Sequence, residues 1–246
     1  MPRTLRLAKA RSSLQIRTRP GSRNVLFIEC AAKAKDVRAS VKFDLAPHSA
    51  LTAVFLWKGK GAATITQQST VAAGAALHLL NVTEGSAEQS FTGEVTGKGG
   101  ECTLDWIAHT KGSDRCVLSA RTIFAARDGR GTTTLHGVAE GRSQMRALGS
   151  IEIPQSGSDT HARLEQRILL LDPGARAEAV PELKIEIDDV QVSHAATVSR
   201  IHPEDLFYLQ SRGITAKKAR TLLIRGFLDE LLDGLPLDFP REQLRA

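Results

Sequence analysis

The chain has 246 residues; 41% are apolar and only 4% aromatic, and Lys plus Arg outnumber Asp plus Glu by 33 to 27. That length allows one large β domain or two smaller ones, with a substantial core. No run approaches the roughly 18 apolar residues of a spanning helix. The basic opening MPRTLRLAKARSSLQIRTRPG also lacks a continuous apolar centre and a cleavage signal, so a cytoplasmic protein without a membrane segment is expected.

Six basic residues, Arg3, Arg6, Lys9, Arg11, Arg17 and Arg19, precede Pro20. With so few aromatic side chains, no base-stacking platform accompanies them, and nucleic-acid binding is not expected. From about Gln15 to Ser199 the chain is a succession of short β-like runs. Examples are Val25–Glu29, Leu51–Trp57, Ala75–Val82, Cys102–His109, Val117–Phe124 and Thr132–Val138. Lys98-Gly99-Gly100, Asp128-Gly129-Arg130-Gly131 and Asp172-Pro173-Gly174 supply turns or left-handed backbone positions between runs. No helical pattern of crossover length intervenes, which argues against a doubly wound fold and leaves a sandwich, a barrel or a stacked-coil solenoid.

The runs near Leu77, Leu104, Ile123, Leu135, Ile151, Ile168 and Ile185 recur at irregular intervals of 12–27 residues. Coils of unequal length would produce such spacing, each burying its apolar face on the next; the pattern alone leaves solenoid and sandwich both open. Cys30, Cys102 and Cys116 are too widely spaced for a disulfide framework or a close metal-ligand pair. They read as reduced thiols, at least two of them buried in strands. Cys102 and Cys116 also stand as candidates for sulfur or cluster handling, because thiolates are soft ligands and nucleophiles.

Over Glu182–Asp188, Leu183, Ile185 and Ile187 alternate with Glu182, Lys184 and Glu186. After Asp188-Asp189 the parity changes, and Val190, Val192, His194, Ala196 and Val198 share the other register. A period-two pattern that changes phase at two acids predicts a bend or bulge between adjoining strands. His202-Pro203-Glu204-Asp205 then reads as a helix start, with Pro203 near N1 and acids in the first turn. Gly213 offers an exit and Thr215 caps a second helix over Ala216 to Asp233, closed by Gly234. Ala219, Leu222, Leu223, Gly226, Phe227, Glu230 and Leu231 fall on or near one stripe of it. Pro236 and Pro240 make the remainder a poor long helix.

The segments Asp188-Asp189-Val190-Gln191-Val192-Ser193-His194-Ala195-Ala196-Thr197-Val198, Leu206-Phe207-Tyr208-Leu209-Gln210-Ser211-Arg212-Gly213-Ile214 and Ala219-Arg220-Thr221-Leu222-Leu223-Ile224-Arg225-Gly226-Phe227 together resemble the SufB/SufD scaffold family of the SUF system for iron–sulfur cluster biogenesis. Leu169-Leu170-Leu171-Asp172-Pro173-Gly174-Ala175 and Val180-Pro181-Glu182-Leu183 resemble the family's final coils. The resemblance implies a mainly β fold: a right-handed β-helix (β-solenoid) core over residues 1–200 and a small C-terminal helical, ATPase-docking domain over 201–246. Full-length scaffolds usually carry an N-terminal helical region as well, so the sequence looks like a minimal core form. It further implies a noncatalytic scaffold in cluster assembly or transfer, with two partners: a SufC-like ABC-type ATPase gripped through Phe207–Phe227, and a second scaffold, either another copy or a related SufB/SufD protein.

His194 is the leading candidate ligand for a transient iron–sulfur cluster and for a metal, since imidazole can coordinate iron. Many SufD-like members have a cysteine two positions earlier, where this chain has Val192; the alternative reading of His194 is a hydrogen-bonded interior residue. Glu186, with Asp188 and Asp189, offers harder oxygen ligands or supporting hydrogen bonds, or else simply faces solvent at a bend. His161 is a second metal candidate, and a metalloenzyme using His161, His194 and an acid is a competing function, as is a structural interaction module without cluster chemistry. The chain lacks the Gly-rich, lysine-containing phosphate loop of an ATPase and any recognisable serine nucleophile elbow. It is therefore expected not to be an enzyme, with ATP hydrolysis belonging to the partner.

Overall fold

A computed structural model describes residues 3–30, 36–59 and 61–232. The first half of the chain forms β1 (Arg3–Leu7), β2 (Arg11–Arg17), β3 (Arg23–Cys30), β4 (Asp36–Leu45), β5 (Ala50–Lys58), β6 (Ala62–Val71), β7 (Ala76–Glu84) and β8 (Ala87–Val95). There follow β9 (Glu101–Thr110), β10 (Arg115–Phe124), β11 (Arg130–Ala139), β12 (Gln144–Ile153), β13 (Thr160–Leu170), β14 (Arg176–Ile185) and β15 (Val190–Arg200). Two helices close the described chain, α1 (Pro203–Ser211) and α2 (Ala216–Asp229). Odd-numbered strands make one eight-stranded sheet and even-numbered strands a seven-stranded one, every pairing being parallel and between strands two apart. The fold is thus a parallel β-solenoid of about seven turns, each turn giving one strand to each sheet.

Alternation within each strand builds the core. On β9, Cys102, Leu104, Trp106 and Ala108 point into the lumen and meet Cys116, Leu118, Ala120 and Phe124 of β10 from the facing sheet. Not every inward position is apolar. Gln67 and Asn81 exchange hydrogen bonds of 2.9 and 2.8 Å, Thr83 donates to Gln89 at 2.8 Å, and the Trp106 indole donates to Thr83 at 3.0 Å. A closed network of this kind satisfies buried polar groups that would each be costly alone.

The corners that lead from an even strand to the next odd strand stack on one another. Gly21, His48, Gly74, Gly99, Asp128 and Asp159 all have φ between 57° and 67°. The N–H of each bonds to a carbonyl in the next corner at 2.8–3.1 Å, from Gly21 to Pro47 through Asp128 to Ser158, and Asp159 to Asp189. Glycine meets this left-handed backbone at no steric cost, and Asp and His are among the few other residues that tolerate it. In the Asp128-Gly129 turn the aspartate, not the glycine, takes that conformation.

Two expectations are refined. The parity change at Asp188-Asp189 is the expected bend between adjoining strands and not a bulge. Residues 186–189 are the corner that carries the chain from β14 in one sheet to β15 in the other, so the lumen-facing register restarts. The buried face of α2 is Ala219, Ile224 and Leu228, continued by Leu232, whereas Leu222 from the expected stripe is 50% exposed. The partner surface sets that face: Ile224, Leu228 and Leu232 join Val54, Leu80, Ile107 and Val138 in a second apolar cluster on the outside of the odd sheet. Helix α2 ends at Asp229; Asp233, Gly234, Pro236 and Pro240 lie outside the described residues.

Candidate functional site

The helical tail presents two faces of opposite character. Helix α1 starts behind His202 with proline in its first turn beside Glu204 and Asp205, and the chain leaves it through Gly213 at φ 82°. Thr215 caps α2, its hydroxyl accepting from the Lys218 N–H. One side of this pair is seated on the sheet, while Phe207, Tyr208 and Leu222 stay 74%, 58% and 50% exposed. The Arg212 guanidinium lies 5.2 Å from the centre of the Tyr208 ring, a cation–π contact that keeps a charged group beside the apolar ones. Lys217, Lys218 and Arg225 are exposed on α2.

A clamp fixes the helices to the solenoid. Arg220 Nη2 lies 3.0 Å from both carboxylate oxygens of Asp172, and Asp172 Oδ2 also accepts the Gly141 N–H at 2.7 Å. Partial burial would push this carboxyl up, but the Gly141 N–H and the Arg220 guanidinium together hold it below the usual aspartate value. Arg200, at the end of β15, donates to the Asp172 carbonyl at 2.9 Å. The sequence marked Asp172 as a turn and as part of the final-coil resemblance; its role as an anchor for α2 needed the fold.

The second distinctive region is the last coil, where β14 and β15 end their sheets. His194 sits opposite Leu164 of β13, in lumen-facing register, yet it is exposed, because among the described residues no further coil follows β15 to cover it. Val192, in the same register, is half-buried, and Glu186, Asp188 and Asp189 stand exposed in the adjoining corner. Ile185 and Val198, in lumen-facing register, are 42% and 41% exposed, so this end offers solvent an apolar surface bordered by acids, while Val180, 38% exposed, faces the outer side of its sheet beside Leu148. His161 lies elsewhere: paired with Gln191, it points to the outer face and lines a groove of about 550 Å³ with Thr132, Arg163 and Ser193. His161 and His194 thus lie on opposite faces of one sheet, and the structure does not bring them together. Among the described residues no group of three or more His, Cys, Asp or Glu side chains is close enough to hold a metal ion.

The cysteines are equally dispersed. Cys116 pairs with Ala87 at the start of β8, whereas the Cys102 sulfur packs against Gly93 near the end of that strand. Six residues separate Ala87 from Gly93, so the two thiols sit about 20 Å apart along the lumen. Each is 1% exposed, and burial pushes both thiols up to about 12.

Two histidines that the sequence did not single out are 1–3% exposed on the outer side of the odd sheet. His136 contacts α2 directly, and His109 Nε2 lies 2.5 Å from Glu140. A lone histidine inside a strand pattern carries no partner information, so no signal short of the fold marks either one.

Comparison with known proteins adds an independent finding. Residues 8–227 match the profile of the SufBD core domain of SUF system FeS cluster assembly. The chain is similar to the iron–sulfur cluster assembly protein SufD of Bacillus subtilis (strain 168), at 32% identity over 169 residues, covering 69% of this chain and 38% of that protein. It is 31% identical over 144 residues to SufD of Escherichia coli (strain K12), covering 58% of this chain and 30% of that protein. Identity to an iron–sulfur cluster assembly SufBD family protein of Mycobacterium tuberculosis (strain ATCC 25618 / H37Rv) is 25% over 212 residues, 83% of this chain and 25% of that protein. The chain spans less than two-fifths of the length of these relatives.

Proposed function

Because this chain belongs to the SufBD core family of SUF system FeS cluster assembly, we propose that it is a noncatalytic scaffold that works with a partner ABC-type ATPase. The helical tail is the grip, and the solenoid fixes its geometry relative to the open last coil. The observation that carries this reading is the two-faced tail. Ile224, Leu228 and Leu232 seat it on the sheet, while Phe207, Tyr208 and Leu222 remain exposed beside Arg212 and Arg225. Exposed aromatic and leucine side chains mixed with arginine have the composition of interface anchors. The cluster itself is cargo. His194 would offer one imidazole at the open coil, Glu186 lies in the adjoining corner, and a paired scaffold would supply the remaining ligands across the edge.

The test is binding of the cognate ATPase by calorimetry, comparing the wild type with the double variant Phe207→Asp, Leu222→Asp. Both side chains are largely exposed, so the variant should fold normally and bind at least about tenfold more weakly. Unchanged affinity, or no binding by the wild type, would reject the grip.

A second reading, an interaction module that never touches the cluster, draws support from Val192 and from the burial of Cys102 and Cys116, which leave no thiol at the open coil. Under that reading His194→Ala leaves cluster formation by the assembled complex intact in anaerobic reconstitution; under the first reading it reduces the iron and acid-labile sulfide recovered.

A further inference from the structure

The seam between α2 and the solenoid contains a titratable group in a position to control it. His136 projects from β11 onto the outer face and is 1% exposed, with its Nδ1 3.0 Å from the carbonyl of Phe227. A carbonyl can only accept, so Nδ1 carries the proton and donates it. That carbonyl lies near the end of α2, where intrahelical donors run out. The Leu231 N–H, which would close the next helical bond to Phe227, bonds instead to the Leu228 carbonyl at 3.3 Å. The imidazole supplies the hydrogen bond that the helix lacks. It also stacks on the Phe227 ring, with centroids 5.1 Å apart and planes at 28°. Arg167 of β13 lies 5.4 Å from the centre of the Phe227 ring and pairs with Glu230 at 3.1 Å.

We propose that His136 is a proton-released latch: neutral, it pins the C-terminal half of α2 to the sheet, and protonated, it lets that half of the helix lift. The charges facing the ring are Arg167 and Glu165 from β13 and Glu230 beyond α2. A protonated imidazole here is a buried cation near a guanidinium, offset only by those two carboxylates, and water reaches it best once the helix lifts. Burial, with Arg167 adding to it, holds His136 below the ordinary histidine value despite the bond to the Phe227 carbonyl.

The sign follows from proton linkage. The docked helix binds fewer protons than the lifted one, so docking weakens as pH falls below the ordinary histidine value of about 6.5. The loss approaches about tenfold per pH unit between the lifted and docked values. A second buried histidine, His109, acts less directly. It faces Glu140, Glu84 and Lys111, and reaches α2 only through Glu140, whose Oε2 is 3.9 Å from Arg220. The latch concerns the seat of α2 itself and holds whichever partner the helices grip.

Amide hydrogen exchange of the full chain, corrected for intrinsic rates at each pH, tests it. Between pH 7.5 and 5.5, protection across residues 216–229 should fall, by no more than about tenfold for each pH unit below 6.5, while β4 and β6 in the opposite sheet stay unchanged. In His136→Gln, whose amide N–H can still donate but does not titrate, the fall should vanish. A flat wild-type profile, an equal fall in His136→Gln, a fall shared by β4 and β6, or a fall abolished by His109→Gln instead would each overturn the proposal. Should His136→Gln not fold, the His136 ring resonances of the wild type decide the matter in its place. They must titrate below pH 6.5, with α2 protection falling between 6.5 and the ring midpoint; a ring midpoint at or above 6.5, or α2 protection that stays flat across that interval, overturns it.

Discussion

At the scale of single residues, the structure separates groups that can meet a reagent from groups that cannot. Cys102 and Cys116 are each 1% exposed with thiols pushed up to about 12, so at pH 8 both are held in the unreactive thiol form and shielded from reagent. Iodoacetamide at pH 8 should label neither in the native protein and both in urea, read by peptide mass spectrometry. Labelling of either in the native state would show a lumen that opens, and would return these cysteines to cluster chemistry. The sequence read His194, Val192 and the acids around Asp188 as a group, because strand parity and nearness in the chain are visible in the letters. It could not find His136, whose hydrogen-bond partner Phe227 lies 91 positions away. Nor could it tell that His161 and His194 face opposite sides, since that depends on the pairing of β13 with β15. Residue type and local period are legible; contacts across coils are not.

At the scale of elements, legibility followed the number of apolar faces. Strands β5, β7, β9 and β11 stood out as β-like runs because Val54, Leu56, Leu80, Val82, Ile107 and Val138 make their outward faces apolar too, even where β7 points Asn81 and Thr83 inward. Strand β6 points Gln67 and Ser69 inward and β8 points Gln89, all buried, so their period-two signal was lost although the strands are equally regular. The solenoid repeat was obscured for another reason. Arg3 faces Leu26 in the first coil of the odd sheet, an offset of 23 residues, whereas Arg130 faces His161 near the last, an offset of 31. Insertions at the corners change coil length without disturbing pairing, and a variable period defeats a search for a fixed one. Helix boundaries were readable from proline, glycine and threonine, but the buried face of α2 was not, because the sheet beneath selects it. Gly226 tests how far propensity operates there. It lies inside α2 on the exposed side, and a Cβ added to it meets nothing within 4 Å. Gly226→Ala should therefore stabilise the helix by about 0.5–1 kcal/mol. That corresponds to roughly two- to fivefold more amide protection across residues 216–229. A loss of protection would mean that the glycine is required by the backbone and not merely tolerated.

At the scale of the whole molecule, the solenoid is electrically lopsided and open at its final coil. Seven basic residues and no acid precede Glu29, so the formal charge of +6 is carried by the first coil. Around the last strands the balance reverses: Glu178, Glu182, Glu186, Asp188 and Asp189 stand against Arg176 and Lys184 between residues 176 and 189. The exposed Ile185 and Val198, together with the outer edges of β14 and β15, which no strand covers among the described residues, favour association there, since an uncovered edge is a template for further strands. The acids decide with what. Two copies joined through this edge set carboxylate against carboxylate, so self-association should be weak at low salt and strengthen as salt screens the repulsion, the Debye length falling from about 10 Å at 0.1 M to about 3 Å at 1 M. A related scaffold with a basic edge reverses the sign: its attraction is screened too, so the complex should weaken as salt is added. Sedimentation velocity from 50 to 500 mM salt, on this chain alone and mixed with a candidate scaffold, reads both signs. The double variant Ile185→Lys, Val198→Lys should abolish either association, with Tm changed only slightly because both side chains are partly solvated already. A dimer that is tight at low salt, loosens with salt and survives that variant would place the contact elsewhere and leave the open coil without the partner proposed for it.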